Sequence, residues 1–121
     1  MKAINISEKF TKFDAYWHPR QLAIVDDMQV ILAKLKGEFV WHHHEHEDEL
    51  FQVIKGTLYM QFRDRTEIVN EGEIIVVPKG VEHNPSTKNG DEVHVLLFEK
   101  VTTLHTGNVT HEKTKSHYPK I

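Results

Sequence analysis

Histidines and carboxylates are concentrated in the segment WHHHEHEDE at 41–49, which holds four of the chain's ten histidines. In an extended strand successive side chains point to opposite faces, so His42 and His44 should lie on one face and His43 on the other. Two imidazoles on one face of a strand can bind a single metal ion. Glu49 opens the next apolar run, and its carboxylate can join the two histidines if the chain doubles back just before it.

A second segment, GEIIVVPKGVEH at 72–83, supplies a further candidate ligand. Its apolar run predicts a strand that ends in the turn Pro78-Lys79-Gly80 and delivers His83 at the start of another segment. Three imidazole nitrogens and one carboxylate oxygen suit Fe(II), Mn(II), Ni(II), Cu(II) or Zn(II). The chain has no cysteine, so thiolate ligands, disulfides and cysteine nucleophiles are excluded. A metal bound here must be held by nitrogen and oxygen.

The spacing of the two segments resembles the two motifs of the cupin superfamily. The first motif is matched by Gly37, His42, His44, Glu49 and Gly56, with its first gap one residue shorter than usual. The second motif is matched by Gly72, Pro78, Gly80 and His83, and Thr87 stands where the family usually has asparagine. Within the superfamily the sequence is most similar to small single-domain cupins that often carry the label mannose-6-phosphate-isomerase-like.

The resemblance implies a double-stranded β-helix, which is a jelly-roll barrel, with one divalent transition metal. The implied metal ligands are the four candidates above, His42, His44, Glu49 and His83. Four protein ligands would leave about two positions of a six-coordinate ion open to water, substrate or dioxygen. A metal ion in the implied site could therefore bind a substrate or dioxygen directly.

The other polar residues of the cluster are expected near the surface. His43 and His46 should face solvent, and three acidic side chains should form the rim of the cavity, namely Glu45, Glu47 and Asp48. No residue is an evident general base. Glu47, Asp48 and His94 are candidates if the fold brings them to the metal. His94 is otherwise expected in the core or wall of the barrel.

Short apolar runs between Leu22 and Lys100 predict an all-β fold. The predicted strands are LAIVD, QVILAKLK, EFVWHHH, LFQVIKG, TLYMQFR, TEIVNEG, EIIVVP and EVHVLLFEK. Turn residues such as Asn89-Gly90 separate them, and a spacing of roughly 8–12 residues between strand starts is typical of a sandwich or barrel. Residues 22–100 are therefore predicted to form the barrel of a single domain that spans 1–121.

The N-terminal residues are predicted to form a short amphipathic helix over 7–17. Phe10, Phe13 and either Tyr16 or Trp17 recur at helical spacing after a possible N-cap at Ser7. The dipeptide His18-Pro19 would end the helix, because the residue before proline avoids helical angles.

Residues 101–121 are polar and without periodicity, so they are expected to form an extended, solvated arm. This arm would carry His105, His111 and His117, whose spacing matches neither a helix nor a strand. The apolar residues of the first seventeen positions are expected to leave exposed surface that a second copy of the chain could cover, which predicts a homodimer.

Composition and charge argue against two kinds of partner, nucleic acids and membranes. A formal net charge of −3 and a pI near 6.3 give no basic surface for nucleic acid. No apolar stretch approaches the roughly 18–20 residues that a membrane span needs, and the polar start MKAINISEKF does not resemble a signal peptide. A cytoplasmic protein is therefore expected, with a small molecule as its ligand.

These features predict a metal-dependent cupin that acts on, or binds, a small polar molecule in the barrel cavity. Isomerase-type chemistry would use the metal as a Lewis acid, and dioxygenase-type chemistry would use it to bind dioxygen beside the substrate. The alternative is a non-enzymatic ligand-binding or sensing module. The isomerase label favours an enzyme, but one fold hosts many functions.

Overall fold

The computed structural model describes residues 1–121 and contains one short helix and eight strands. The elements are α1 (Ile6–Phe10), β1 (Arg20–Val25), β2 (Met28–Lys36), β3 (Glu49–Lys55), β4 (Leu58–Phe62), β5 (Thr66–Val69), β6 (Ile74–Val77), β7 (His83–Ser86) and β8 (Glu92–Lys100). A five-stranded sheet has the order β1-β2-β8-β3-β6, and a three-stranded sheet has the order β5-β4-β7. All strand pairs are antiparallel. The predicted all-β jelly-roll fold with a short N-terminal helix is confirmed.

The core lies between the inner faces of the two sheets. Burial alternates along β3, β4 and β8, so every second side chain of these strands points inward. The inward side chains are those of Phe51, Val53, Leu58, Met60, Phe62, Val93, Val95 and Leu97, and they belong to one buried cluster. This packing makes one end of the barrel interior apolar and leaves the other end to the polar residues described below.

The predicted strand over 38–44 is replaced by an extended segment with only isolated bridges. Glu38 bridges to Ser86 and His42 bridges to His83, in both cases antiparallel. The partner of this segment is β7, which was not predicted as a strand because its Asn84-Pro85 sequence is typical of a turn. β7 tolerates proline because it lies at the edge of its sheet.

The N-terminal helix is shorter than predicted and begins earlier. Asn5, rather than Ser7, is the N-cap, and its side chain accepts a hydrogen bond from the Glu8 N–H at 3.0 Å. The helix ends before residue 11, because the following residues turn to pair with β2. There the Trp17 N–H donates to the Lys34 carbonyl at 2.9 Å. Tertiary pairing thus overrides the helical spacing of the aromatic residues. α1 is also too short to cross a membrane.

Three of the four aromatic residues of the N-terminal region, Phe10, Phe13 and Trp17, are buried within their own chain. Phe10 and Phe13 pack on Leu32 at the outer face of the five-stranded sheet, and Trp17 joins the main core. These side chains are no more than 8% exposed. Part of the apolar surface on which the homodimer was predicted is therefore covered within the chain, whereas Met1, Ile4 and Tyr16 are exposed, and the homodimer stays a prediction.

Residues 101–121, here called the C-terminal segment, do not form a solvated arm. Thr103 and Thr106 are buried. Near the end of the segment the backbone pairs with β1, where the Gln21 N–H donates to the Pro119 carbonyl at 2.8 Å and the Ile121 N–H donates to the Gln21 carbonyl at 3.1 Å. Polar contacts of this kind leave no hydrophobic periodicity in the sequence, which is why burial of the segment was not predicted.

Candidate metal centre

The four predicted ligands converge inside the barrel. They come from the extended segment before β3, from the first residue of β3 and from the first residue of β7. Their possible ligand atoms all lie within 4.8 Å of one another. The exposed fractions are 2% for His42, 4% for His44, 6% for Glu49 and 0% for His83. The structure therefore brings together side chains that are far apart in sequence and removes them from solvent.

Backbone pairing sets the positions of two of the imidazoles. The His42 N–H donates to the His83 carbonyl at 3.0 Å, and the His83 N–H donates to the His42 carbonyl at 2.9 Å. The two ring centroids are consequently 4.3 Å apart. The predicted strand parity also holds, because His42 and His44 are buried on the inner side while His43 is only partly buried.

The same two imidazoles are oriented by the chain just before each of them. Nδ1 of His42 lies 2.8 Å from the Val40 carbonyl oxygen, and Nδ1 of His83 lies 2.9 Å from the Val81 carbonyl oxygen. A carbonyl can only accept, so each Nδ1 carries the proton and each Nε2 has a free lone pair. This is the arrangement that fixes metal-binding histidines in other proteins.

The remaining polar atoms of the centre fit a metal ion. Oε1 of Glu49 lies 3.4 Å from Nε2 of His44 and 3.5 Å from Nε2 of His83, distances too long for good hydrogen bonds. All three of these atoms are buried without a hydrogen-bond partner. Buried polar atoms normally have partners, so a group of them facing one point indicates a bound ion. Three nitrogens and one oxygen form a donor set for a divalent transition metal.

Electrostatics favour the metal-binding protonation states. Burial, and then the charge of His83, lower the pKa of His42 to about 4, so its imidazole is neutral in neutral solution. Burial alone would raise the pKa of Glu49, but the imidazoles of His44 and His83 beside its carboxylate outweigh it and hold that pKa well below its usual range. The centre therefore presents a carboxylate and a neutral imidazole, both ready to coordinate.

Glu99 is a site residue that the sequence reasoning missed. It lies opposite Glu49 on the neighbouring strand β8 and is 1% exposed. Burial and the charge of Glu49 raise the pKa of Glu99 well above its usual range. Alternation along β8 could have revealed it, because Val93, Val95 and Leu97 point inward and residue 99 continues that series.

A small inner cavity lies beside the candidate ligands. Its volume is about 40 Å³, and His42, Glu49 and Glu99 form its polar wall. The C-terminal segment closes it with His105 and Tyr118. Neither residue was predicted near the site, and no sequence pattern marks them, because the segment that carries them has no periodicity.

The other residues predicted near the site lie outside the inner cavity. Glu45 and His46 are exposed, and the imidazole of His43 pairs with Glu45. The candidate general bases are engaged elsewhere: Glu47 accepts from the Thr102 hydroxyl, Asp48 accepts from the Lys79 N–H, and His94 stacks on Phe10. His94 lies in the wall of the barrel, as expected, and Glu45 and Glu47 line an opening beside His44, which agrees with the expected acidic rim.

Comparison with known proteins agrees with the fold. The family model for the Cupin domain matches residues 29–99. A cupin-2 domain protein from Shewanella frigidimarina NCIMB 400 is 44% identical, with 80% of this chain and 93% of that chain covered and a TM-score of 0.78. Protein NMB1881 from Neisseria meningitidis is 30% identical, with 82% and 99% covered and a TM-score of 0.74.

A curated relative carries the same domain. The uncharacterized protein YdbB of Bacillus subtilis (strain 168) is 35% identical over 82 residues, which is 67% of this chain. The alignment spans 66% of the length of YdbB, just under two thirds. The matched residues 29–99 include all four candidate ligands and most of both sheets. The chain therefore belongs to the cupin family.

Proposed function

We propose that the protein holds one divalent transition metal at His42, His44, Glu49 and His83 and acts on a small polar molecule in the barrel. The observation that carries this proposal is the convergence of four buried ligand residues whose polar atoms are left without hydrogen-bond partners. A bound Fe, Mn, Ni, Cu or Zn ion would supply Lewis-acid chemistry, or redox chemistry in the case of Fe, Mn or Cu.

An isomerase-type reaction and a dioxygenase-type reaction would make different use of the chain's own residues. Ile31, Leu35 and Leu97 line the inner cavity and make part of its wall apolar. Glu99 is the one carboxyl group of that cavity besides Glu49, so a proton transfer in an isomerase-type reaction would fall to Glu99 or to a group of the C-terminal segment. A dioxygenase-type reaction would need no such group.

Metal content of protein purified without a histidine tag tests the proposal. We expect about one equivalent of metal in the wild type and in His43→Ala, because the His43 imidazole pairs with Glu45 away from the cavity. His44→Ala should lose most of the metal, since the loss of one of the four ligands weakens metal binding strongly. A wild type without metal, or loss in His43→Ala rather than His44→Ala, would contradict the proposed ligand set.

Turnover distinguishes an enzyme from a binding module. We expect a screen of keto acids, sugars and catechols to reveal a conversion that chelation abolishes and metal restores. Tight binding of one of these compounds without conversion would favour the non-enzymatic module.

A further inference from the structure

An outer cleft lies on the solvent side of the inner cavity, between two parts of the C-terminal segment. Its volume is about 320 Å³, and it is bounded by 103–105 on one side and 115–118 on the other. His105 and Tyr118 line both the outer cleft and the inner cavity. These two side chains therefore form the wall between the outer cleft and the inner cavity. Their rings contact each other edge to face, with centroids 5.8 Å apart, so they must move apart for a ligand to pass from the cleft to the metal centre.

The outer cleft carries no carboxylate, although the chain has 18 acidic residues. Its polar lining consists of Lys115, His105 and His117 together with amide and hydroxyl groups. The opening on the other side of the histidine cluster is lined by Glu45 and Glu47 instead. A negatively charged ligand would be repelled there and attracted to the outer cleft.

Lys115 is the positive charge of the outer cleft. Its side chain is partly buried, and it forms no ion pair with any carboxylate of the chain. A partly buried cation without a partner is a ready binding group for an anion.

Hydrogen-bond donors continue from the cleft toward the candidate metal centre. The Lys115 N–H donates to Nδ1 of His105 at 2.9 Å, so the proton of that imidazole is on Nε2. The Tyr118 hydroxyl is protonated, because burial, and then the charges of Glu99 and Glu49, raise its pKa. Both groups can donate to an oxygen atom of a ligand, while the inner wall beyond them is largely apolar.

We propose that the outer cleft is the entrance of the metal centre and that it selects small carboxylates, whose charge pairs with Lys115. The part of this proposal that makes the cleft an entrance to a metal ion rests on the proposed function. The preference of the cleft for negatively charged ligands does not. The ligand would extend past His105 and Tyr118 and present its other polar atom to the metal ligands. A cleft of this volume lies at the low end of ligand pockets, about 300 Å³, so the carboxylate must be small.

Pyruvate and its neutral amide, pyruvamide, are matched probes that differ in charge but hardly in shape. We expect calorimetric titration of the metal-loaded full chain to give about tenfold tighter binding of pyruvate, the usual effect of one charge-assisted hydrogen bond. Lys115→Gln should reduce that preference to about twofold or less, and Lys115→Arg should retain it. Lys120→Gln is the control, because it removes the same charge from an exposed position of the same segment.

Equal binding of the two probes by the wild type, or absence of binding, would overturn the inference. An unchanged preference in Lys115→Gln would overturn it too, provided that the variant melts as the wild type does. The titration is repeated after chelation, with metal content measured in each sample. A Lys115-dependent preference in protein that never binds metal would support the carboxylate cleft and contradict only the proposed function.

Discussion

His105 lies where the C-terminal segment meets the barrel, and its ionisation is coupled to folding. The imidazole packs against Phe39 at a centroid distance of 5.0 Å and accepts a hydrogen bond from the Lys115 N–H. Burial lowers the pKa of His105 to about 4, against about 6.5 in an unfolded chain. Between these two values the unfolded chain binds the proton and the folded protein does not. This residue therefore destabilises the fold as the pH falls from about 6.5 toward about 4.

Replacing His105 with glutamine should remove this pH dependence while keeping an acceptor for the Lys115 N–H. As the pH is lowered from about 7 to about 5, we expect the free energy of unfolding of His105→Gln to rise by about 1 kcal/mol relative to that of the wild type. This value is reduced because the ring is partly exposed. Urea unfolding of chelated protein measures it. His117→Gln is the control, since His117 is exposed. An unchanged difference for His105→Gln would show that the imidazole is charged in the fold.

At the scale of elements, Gly107 sets the position of the C-terminal segment against the histidine cluster. Its φ is +56°, and a Cβ there would lie 2.1 Å from the His43 carbonyl oxygen and 3.1 Å from Cδ2 of His42. The next residue, Asn108, forms hydrogen bonds to both the N–H and the carbonyl of His43. The segment thus packs directly on the backbone between two candidate ligands.

Gly107→Ala should therefore destabilise the protein by about 3 kcal/mol, because the backbone must move as well as adopt a strained φ. Gly72→Ala is the matched control, with a φ of +82° but no atom within 4 Å of its Cβ. Gly72→Ala should lower the free energy of unfolding by about 1 kcal/mol, because only the strain of its backbone conformation is added. Guanidinium unfolding measures both. Metal content should fall only in Gly107→Ala, and equal costs for the two variants would contradict the close packing.

The elements that sequence reasoning recovers are those whose side chains alternate. β3, β4 and β8 bury every second residue, and the sequence shows this pattern as apolar residues at alternate positions. β7 was missed because its sequence, HNPS, has no β-branched, leucine or aromatic residue, although all four residues are buried. The candidate ligands were recoverable because their spacing follows a family motif. Glu99 lies outside these motifs, but the alternation along β8 could have revealed it. His105 and Tyr118 could not be predicted, because the segment that carries them is held by polar contacts.

For the whole molecule, stability and metal binding rest on different sets of residues. The main core fills the space between the sheets with Val, Leu, Ile and Phe, and it does not include the candidate ligands. The ligands come from three segments, of which β7 is distant in sequence from the other two, so a metal ion would also link the histidine segment, β3 and β7. The barrel is therefore expected to fold without metal and to be stabilised by it.

Chelation should lower the melting temperature while leaving the β signal intact. Binding to the folded state alone adds about 2.7 kcal/mol when free metal is about a hundredfold above its dissociation constant. For a domain of this size that corresponds to a shift of roughly 10 °C. Circular dichroism of metal-loaded and chelated protein measures it, and His44→Ala is the control, because a variant without the site should melt at one temperature in both conditions. Loss of the β signal on chelation would instead make the metal a structural component of the barrel. Retention of the signal with a lower melting temperature is the expected result, because the apolar core persists when the ion is removed.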